Sequence, residues 1–136
     1  MEIVIDANIL FAALIKKSIT SDLLFKHKIY APEYILEEFR KYFDLLKKKT
    51  KRSEEEFNTL YEVIGRALIL IPQEEIAPYL KYAKNISPDI KDISYLALAI
   101  KLKCGLWSQD KALKRQNVVT VYNTEEIIQL SDIDFQ

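Results

Sequence analysis

The chain has 136 residues, of which 49% are hydrophobic and 29% charged, with Lys and Arg balanced by Asp and Glu to zero net charge. That size supports one core and excludes two ordinary domains, and the neutral balance excludes a protein that grips nucleic acid through a general excess of positive charge. The single Cys104 excludes an internal disulfide and reads as a small core residue in a reducing compartment.

No apolar run approaches the roughly 20 residues of a membrane span, so no membrane association is expected. The charged Glu2 followed at once by a strand-like segment does not look like a leader. The expectation is a single domain over 1–136, soluble, unprocessed and cytoplasmic.

In chain order, Glu2 to Ile5 reads as a β-branched strand, followed by helical stretches at 9–16 and 21–26. A short strand over 29–31 ends at Pro32. Helices follow over 33–48 and 54–66, a strand over 68–71 closed by Pro72, and a helix over about 74–84. The basic run KKKTKR at 47–52 precedes Ser53 and Glu56, which fit a capping box and mark a solvated turn between helices, with phosphate contact as the lesser reading. After the Ser87-Pro88 turn come a helix over 92–103, a strand over 105–108, a helical turn at 110–115, a strand over 118–121 and a closing helix from Thr124, with SDIDFQ fraying at the end. Strands alternating with helices imply an α/β fold, with a parallel sheet of about five strands covered on both faces.

The stretch DISYLALAIKLKCGLWSQD at 92–110 is suited to burial, yet an aspartate stands at each end. A helix over 92–103 is about 18 Å long and the extended return over 105–110 covers about 18–20 Å. A reversal at Cys104-Gly105 therefore brings Asp110 back to the level of Asp92, at the sheet edge where strands end and helices begin. Open parallel sheets bind ligands at that edge. Asp6, the first residue after the opening strand, belongs there too. In the helix after Pro32, Ile35, Phe39, Tyr42, Phe43 and Leu46 form an apolar stripe that Glu38 borders, whereas Glu37 shares a face with Glu33, Arg40, Lys41 and Asp44.

Four carboxylates in one cleft repel and raise one another's pKa values unless a cation sits among them. Hard oxygen donors suit magnesium or manganese, and such ions can activate water and stabilise the charge of phosphodiester hydrolysis. The expected chemistry is metal-dependent cleavage of a nucleic acid. Each acid also has a plainer role open to it. Asp92 could be a helix N-cap, Asp110 the cap of the short helix after it, Asp6 with Asn8 an ordinary turn, and Glu38 a solvent-facing residue. His27, between Lys26 and Lys28, reads as a residue at a helix C-terminus interacting with its dipole. Trp107 reads as core. Ser18, Thr20 and Ser21 precede or open a helix whose N-terminus could receive a phosphate, although such hydroxyls more often cap. The tyrosines and phenylalanines read mostly as packing residues, with one available to stack on a base.

The segments VIDANIL at 4–10, APEYILEEF at 31–39, DISYLALA at 92–99 and LWSQDKAL at 106–113 resemble, in order and over nearly the whole chain, the motifs of the PIN domain family, which includes the VapC-type toxin ribonucleases. The resemblance implies a three-layer α/β/α sandwich, four acids around magnesium or manganese, and cleavage of single-stranded RNA. It places the acids on Asp6, Glu38, Asp92 and Asp110, with Asn8 and Ser108 supporting them and contacting phosphate. Asp89 is a further candidate ligand, favoured as a capping or supporting group. The family often has Thr-Gly-Asp where this chain has Ser-Gln-Asp. The resemblance further implies a homodimer and, for a toxin, an antitoxin partner. A non-catalytic module binding RNA or protein and a nuclease acting on DNA or structured ends stand as the alternatives.

Overall fold

Three consecutive β-branched residues, Ile3, Val4 and Ile5, are each 0% exposed in β1 (Glu2–Ile5), as a strand covered on both faces requires. The computed structural model describes residues 1–15, 19–50 and 52–134, with side chains as far as Ser131. Expectations attached to Lys16, Ser18, Lys51 and the last two residues lie outside the described residues.

Helices α1 (Ala7–Ile15) and α2 (Ile19–Leu24) lead to β2 (Lys28–Pro32), then α3 (Tyr34–Lys49), α4 (Glu54–Ala67), β3 (Leu68–Ile71) and α5 (Gln73–Ile86). A 3₁₀ turn over Ile90–Asp92 runs into α6 (Ile93–Leu102), followed by β4 (Gly105–Trp107), a second 3₁₀ turn at Lys111–Arg115, β5 (Val121–Tyr122) and α7 (Thr124–Asp134). The expected capping box at the start of α4 is complete, with Ser53 and Glu56 bonding each other's backbone N–H.

All strand pairs are parallel, in the order β3-β2-β1-β4-β5. Chain direction across the sheet therefore changes between β1 and β4. Right-handed crossovers put the helices of the two halves on opposite faces, and the packing agrees. Helix α1 contacts α2, α3 and α4, and α2 contacts α7, whereas α5 packs on α6 and α6 lies over β1, β2 and β4. The result is the expected three-layer α/β/α sandwich.

Three local expectations are corrected. The reversal after α6 occurs at Lys103, which adopts the left-handed conformation (φ 53°), one residue before the predicted turn. The last strand starts at Val121 rather than at 118, because the Gln116 side chain donates to the Leu113 and Val119 carbonyls and accepts from the N–H groups of Val118 and Val119, holding that segment in a turn. His27 lies beyond the end of α2, where Nδ1 meets the Met1 amine at 3.1 Å and Nε2 meets Ser131 Oγ at 2.6 Å, tying the chain start to α7.

Gly105 opens β4 for a steric reason, since a Cβ there would lie 2.6 Å from the Tyr122 ring. Trp107 is fully buried and its indole N–H reaches Thr124 Oγ1 at 3.0 Å.

Candidate functional site

The β1–β4 register pairs Ile5 with Trp107, so Asp6 and Ser108 leave the sheet side by side at the point where chain direction switches. Asp6 is 5% exposed and its Oδ1 accepts the Ile9 N–H at 3.1 Å. The Ser108 hydroxyl and the Asn8 backbone N–H also hydrogen-bond this carboxyl. Ser108 Oγ in turn accepts the Asp110 N–H at 3.1 Å, and Asp110 Oδ1 accepts the Ala112 N–H at 3.0 Å. The turn and capping roles open to Asp6 and Asp110 are thus both filled. Each carboxyl also lines the cleft, so the local role and placement in the cleft coexist.

Asp92 differs. It is 9% exposed, starts α6 without making a side-chain cap, and its Oδ2 is buried with no hydrogen-bond partner. The capping role open to it is not filled, whereas Asp89 caps the 3₁₀ turn before α6, a role favoured for it from the sequence, its Oδ1 accepting the Lys91 N–H at 3.0 Å. The helix and strand lengths cancel as anticipated, and Asp92 comes within hydrogen-bonding reach of Asp110. One carboxylate oxygen from each of Asp89, Asp92 and Asp110 lies within 4.8 Å of the others.

Glu38 enters from α3 on the opposite bank. It is half-buried while Glu37 is exposed, as the stripe predicted, and it accepts from the Tyr34 hydroxyl. Tyr42 departs from the predicted core stripe. It is 38% exposed, stands edge-on to Phe11 at 5.6 Å, and faces the cleft with Leu45. The cleft has a volume of about 630 Å³, and Asp6, Asn8, Glu38, Asp89, Asp92 and Asp110 all line it. The four predicted acids therefore share one cleft, yet the tightest group draws in Asp89 and leaves Asp6 and Glu38 at its margin.

The electrostatics follow from this crowding. Burial raises the Asp6 carboxyl, and its hydrogen bonds from Ser108 and Ile9 work against that rise. Asp92 is pushed up to about 7, first by burial and then by the charges of Asp110, Asp6 and Asp89, with nothing opposing. Tyr95 is 2% exposed and lines the cleft; burial, followed by the charges of Glu38 and Asp6, raises its hydroxyl far above the usual phenol range.

None of the ion pairs among the described residues involves these acids. An all-oxygen donor set with an orphaned carboxylate oxygen and uncompensated charge fits a hard divalent cation such as magnesium or manganese.

Sequence reading missed the cleft's other members. Tyr95 is three residues beyond Asp92, a same-face spacing. Glu38, Tyr42, Leu45 and Lys49 are spaced by four, three and four residues, which marks a single face of α3. Lys49 and Lys91 both line the cleft. Lys49 thus brings part of the basic run to the site, while Lys47 pairs with Glu54 at 2.7 Å. Thr20 and Ser21 are buried, and the Ser21 hydroxyl donates to the Ala13 carbonyl rather than facing the cleft.

In comparison with known proteins, the PIN domain family matches residues 4–131. No curated protein matches the chain in sequence. The fold is similar to that in the crystal structure of VapBC2 from Rickettsia felis bound to a DNA fragment from their promoter, with a TM-score of 0.64 and 17% identity over 90% of this chain and 98% of that one. It is also similar to PAE2754 from Pyrobaculum aerophilum, with a TM-score of 0.69 and 16% identity over 97% and 90% of the two chains. At such identities the two structures speak to fold alone.

Proposed function

The chain belongs to the PIN domain family, and from that premise we propose that it is a magnesium- or manganese-dependent endoribonuclease acting on single-stranded RNA. The observation that carries the reading is the trio Asp89, Asp92 and Asp110, whose oxygens lie within 4.8 Å of one another with Asp92 Oδ2 left unpartnered. A carboxylate cluster of this kind is costly to keep charged without a cation.

When bound, a divalent ion supplies Lewis acidity, which lowers the pKa of an attacking water and offsets charge on the phosphate. Asp92 and Asp110 would hold the ion, with Asp6 as a further ligand at the end of β1 and Asp89 beside them. Ser108 fixes the positions of Asp6 and Asp110 by hydrogen-bonding both. Glu38 would orient an attacking water from the α3 bank and accept its proton at the carboxylate. Lys49 and Lys91 at the cleft wall attract the phosphodiester backbone, Asn8 donates to phosphate, and exposed Tyr42 offers a face on which a base can stack.

The proposed biological setting is that of a toxin restrained by an antitoxin protein, with Tyr42 and Leu45 giving that partner an apolar foothold beside the acids. A homodimer is carried over from the family, and sedimentation of the purified chain tests it.

The deciding experiment incubates purified protein with labelled single-stranded RNA and Mn²⁺, with EDTA and Asp6→Asn as controls and single-stranded and duplex DNA in parallel. Cleavage of RNA abolished by both controls is the expected outcome. Preference for DNA or structured ends moves the substrate class. Metal-independent cleavage overturns the metal mechanism, and RNA binding without cleavage leaves a binding module.

A further inference from the structure

Tyr95 presents a chemical anomaly. Its ring packs edge-on against Tyr34 with centroids 6.2 Å apart, and the side chain is 2% exposed, yet its hydroxyl is buried without a hydrogen-bond partner. The adjacent tyrosine, Tyr34, does have an acceptor in Glu38. The charged groups acting on the Tyr95 hydroxyl are Glu38 from the α3 bank, Asp6 from the sheet edge and Asp92 from α6. A donor among three acceptors that bonds to none of them leaves a desolvated O–H, a cost natural folds rarely retain without a purpose.

The second orphaned side-chain atom among the described residues, Asp92 Oδ2, lies one helical turn before it on the same face. Among the described side chains these two are the only buried polar atoms without partners, one a donor and one an acceptor, and both residues line the same cleft. An oxygen ligand carried on a cation meets both demands at once: the cation takes the carboxylate, and a water on it accepts from the phenol.

We infer that the Tyr95 hydroxyl donates a hydrogen bond to a water held at the carboxylates by a divalent cation, so that Tyr95 is part of the cation site. This rests on the reading that the acid cluster binds such an ion. The phenol contributes its proton as a donor only; no bond to it is made or broken. Because the ring supplies the packing and the hydroxyl supplies the water contact, the two contributions separate cleanly in Tyr95→Phe.

The test titrates Mn²⁺ alone, without RNA, into the wild-type chain and Tyr95→Phe, following Mn²⁺ by electron paramagnetic resonance and the melting temperature with and without the ion. Loss of a group that supports a metal's ligands costs about tenfold or more in affinity, so Tyr95→Phe should bind Mn²⁺ about tenfold more weakly. Its metal-free melting temperature should be unchanged or higher.

Equal Mn²⁺ affinity in the two chains overturns the inference while leaving the cation site intact. A metal-free Tyr95→Phe chain that fails to fold, or melts more than about 4 °C lower, shows that the hydroxyl is already satisfied within the fold and also overturns it. Absence of Mn²⁺ binding by the wild-type chain overturns both this inference and the reading beneath it.

Discussion

Asp6 and Asp92 are both buried carboxyls of one cleft and burial raises both, but the fold supplies donors to only one of them. Asp6 sits in a ring of donors from Ile9, Asn8 and Ser108, which offset part of the rise that burial imposes on its carboxyl. Asp92 has no hydrogen bond to Oδ2, the charges of Asp110, Asp6 and Asp89 all act against its ionisation, and its pKa rises to about 7. One acid is a fixed anchor that would keep its geometry in an empty site. The other is held in an unfavourable state that a cation would relieve. The contrast teaches that one buried carboxyl can be set in place by donors before any ion arrives, while another is left for the ion to satisfy.

The sharpest way to break the comparison is activity, where the two residues should behave alike despite their different surroundings. If both hold the ion, Asp92→Asn and Asp6→Asn each reduce single-turnover RNA cleavage by about 10³-fold or more, the several kcal/mol that metal stabilisation contributes. Retention of activity by either variant assigns that acid a structural role.

Next in size is the response to metal. Mn²⁺ at a hundredfold excess over its Kd stabilises the folded chain by about 2.7 kcal/mol, which corresponds to a rise of about 8–12 °C in melting temperature for a domain of this size. Calorimetric scans should show most of that rise lost in Asp92→Asn.

In the absence of metal the two acids should separate. Asp6→Ala removes acceptors from buried donors and lowers the melting temperature by about 3–8 °C, the effect of about 1–2 kcal/mol from a lost cap. Asp92→Asn instead raises it at pH 7. The pH dependence has the matching sign. The folded pKa of Asp92, about 7, lies above its unfolded value of 3.8, so between them the folded chain binds the extra proton and stability falls as pH rises. Thermal melts of the metal-free chain from pH 4 to pH 8 should show this decline, and Asp92→Asn should flatten it.

The smallest effect concerns the loop carrying Asp110. Gln109 Oε1 accepts the Thr124 N–H at 2.7 Å and so caps the start of α7. Where the resembling family often has Gly, this chain has a side chain that ties the loop to α7. Gln109→Gly should cost about 1 kcal/mol, measured by urea unfolding, through loss of one hydrogen bond and added backbone freedom.

Much of this architecture was readable from residue order because it rests on period and length. Alternation of strands and helices yields a parallel sheet, β-branched Ile3 to Ile5 mark a central strand, and the matched lengths of α6 and its return strand bring Asp92 and Asp110 together. The α3 stripe separated Glu38 from Glu37 because helical spacing assigns faces whatever the neighbours are.

Other features depended on partners distant in sequence. The Gln116 side chain reassigned 118–120 from strand to turn through bonds to backbone groups that no propensity encodes. Tyr42 left the core because the cleft opens where its stripe meets α1. Asp89, already a candidate ligand in the sequence, meets Asp92 through the local 3₁₀ turn at Ile90–Asp92, but its closeness to Asp110 depends on the return of the chain through β4.

By itself, then, the residue order determined the layers, the strand that would be central and the edge to which Asp6, Glu38, Asp92 and Asp110 would come, since those follow from spacing along one chain. Only the tertiary structure decided which acids crowd within a ligand's reach, that Asp92 and Tyr95 would be left unpartnered, and that Asp6 would not. Hydrogen-bond satisfaction and desolvation are properties of all the atoms that surround a group, and three layers must close before those atoms are in place.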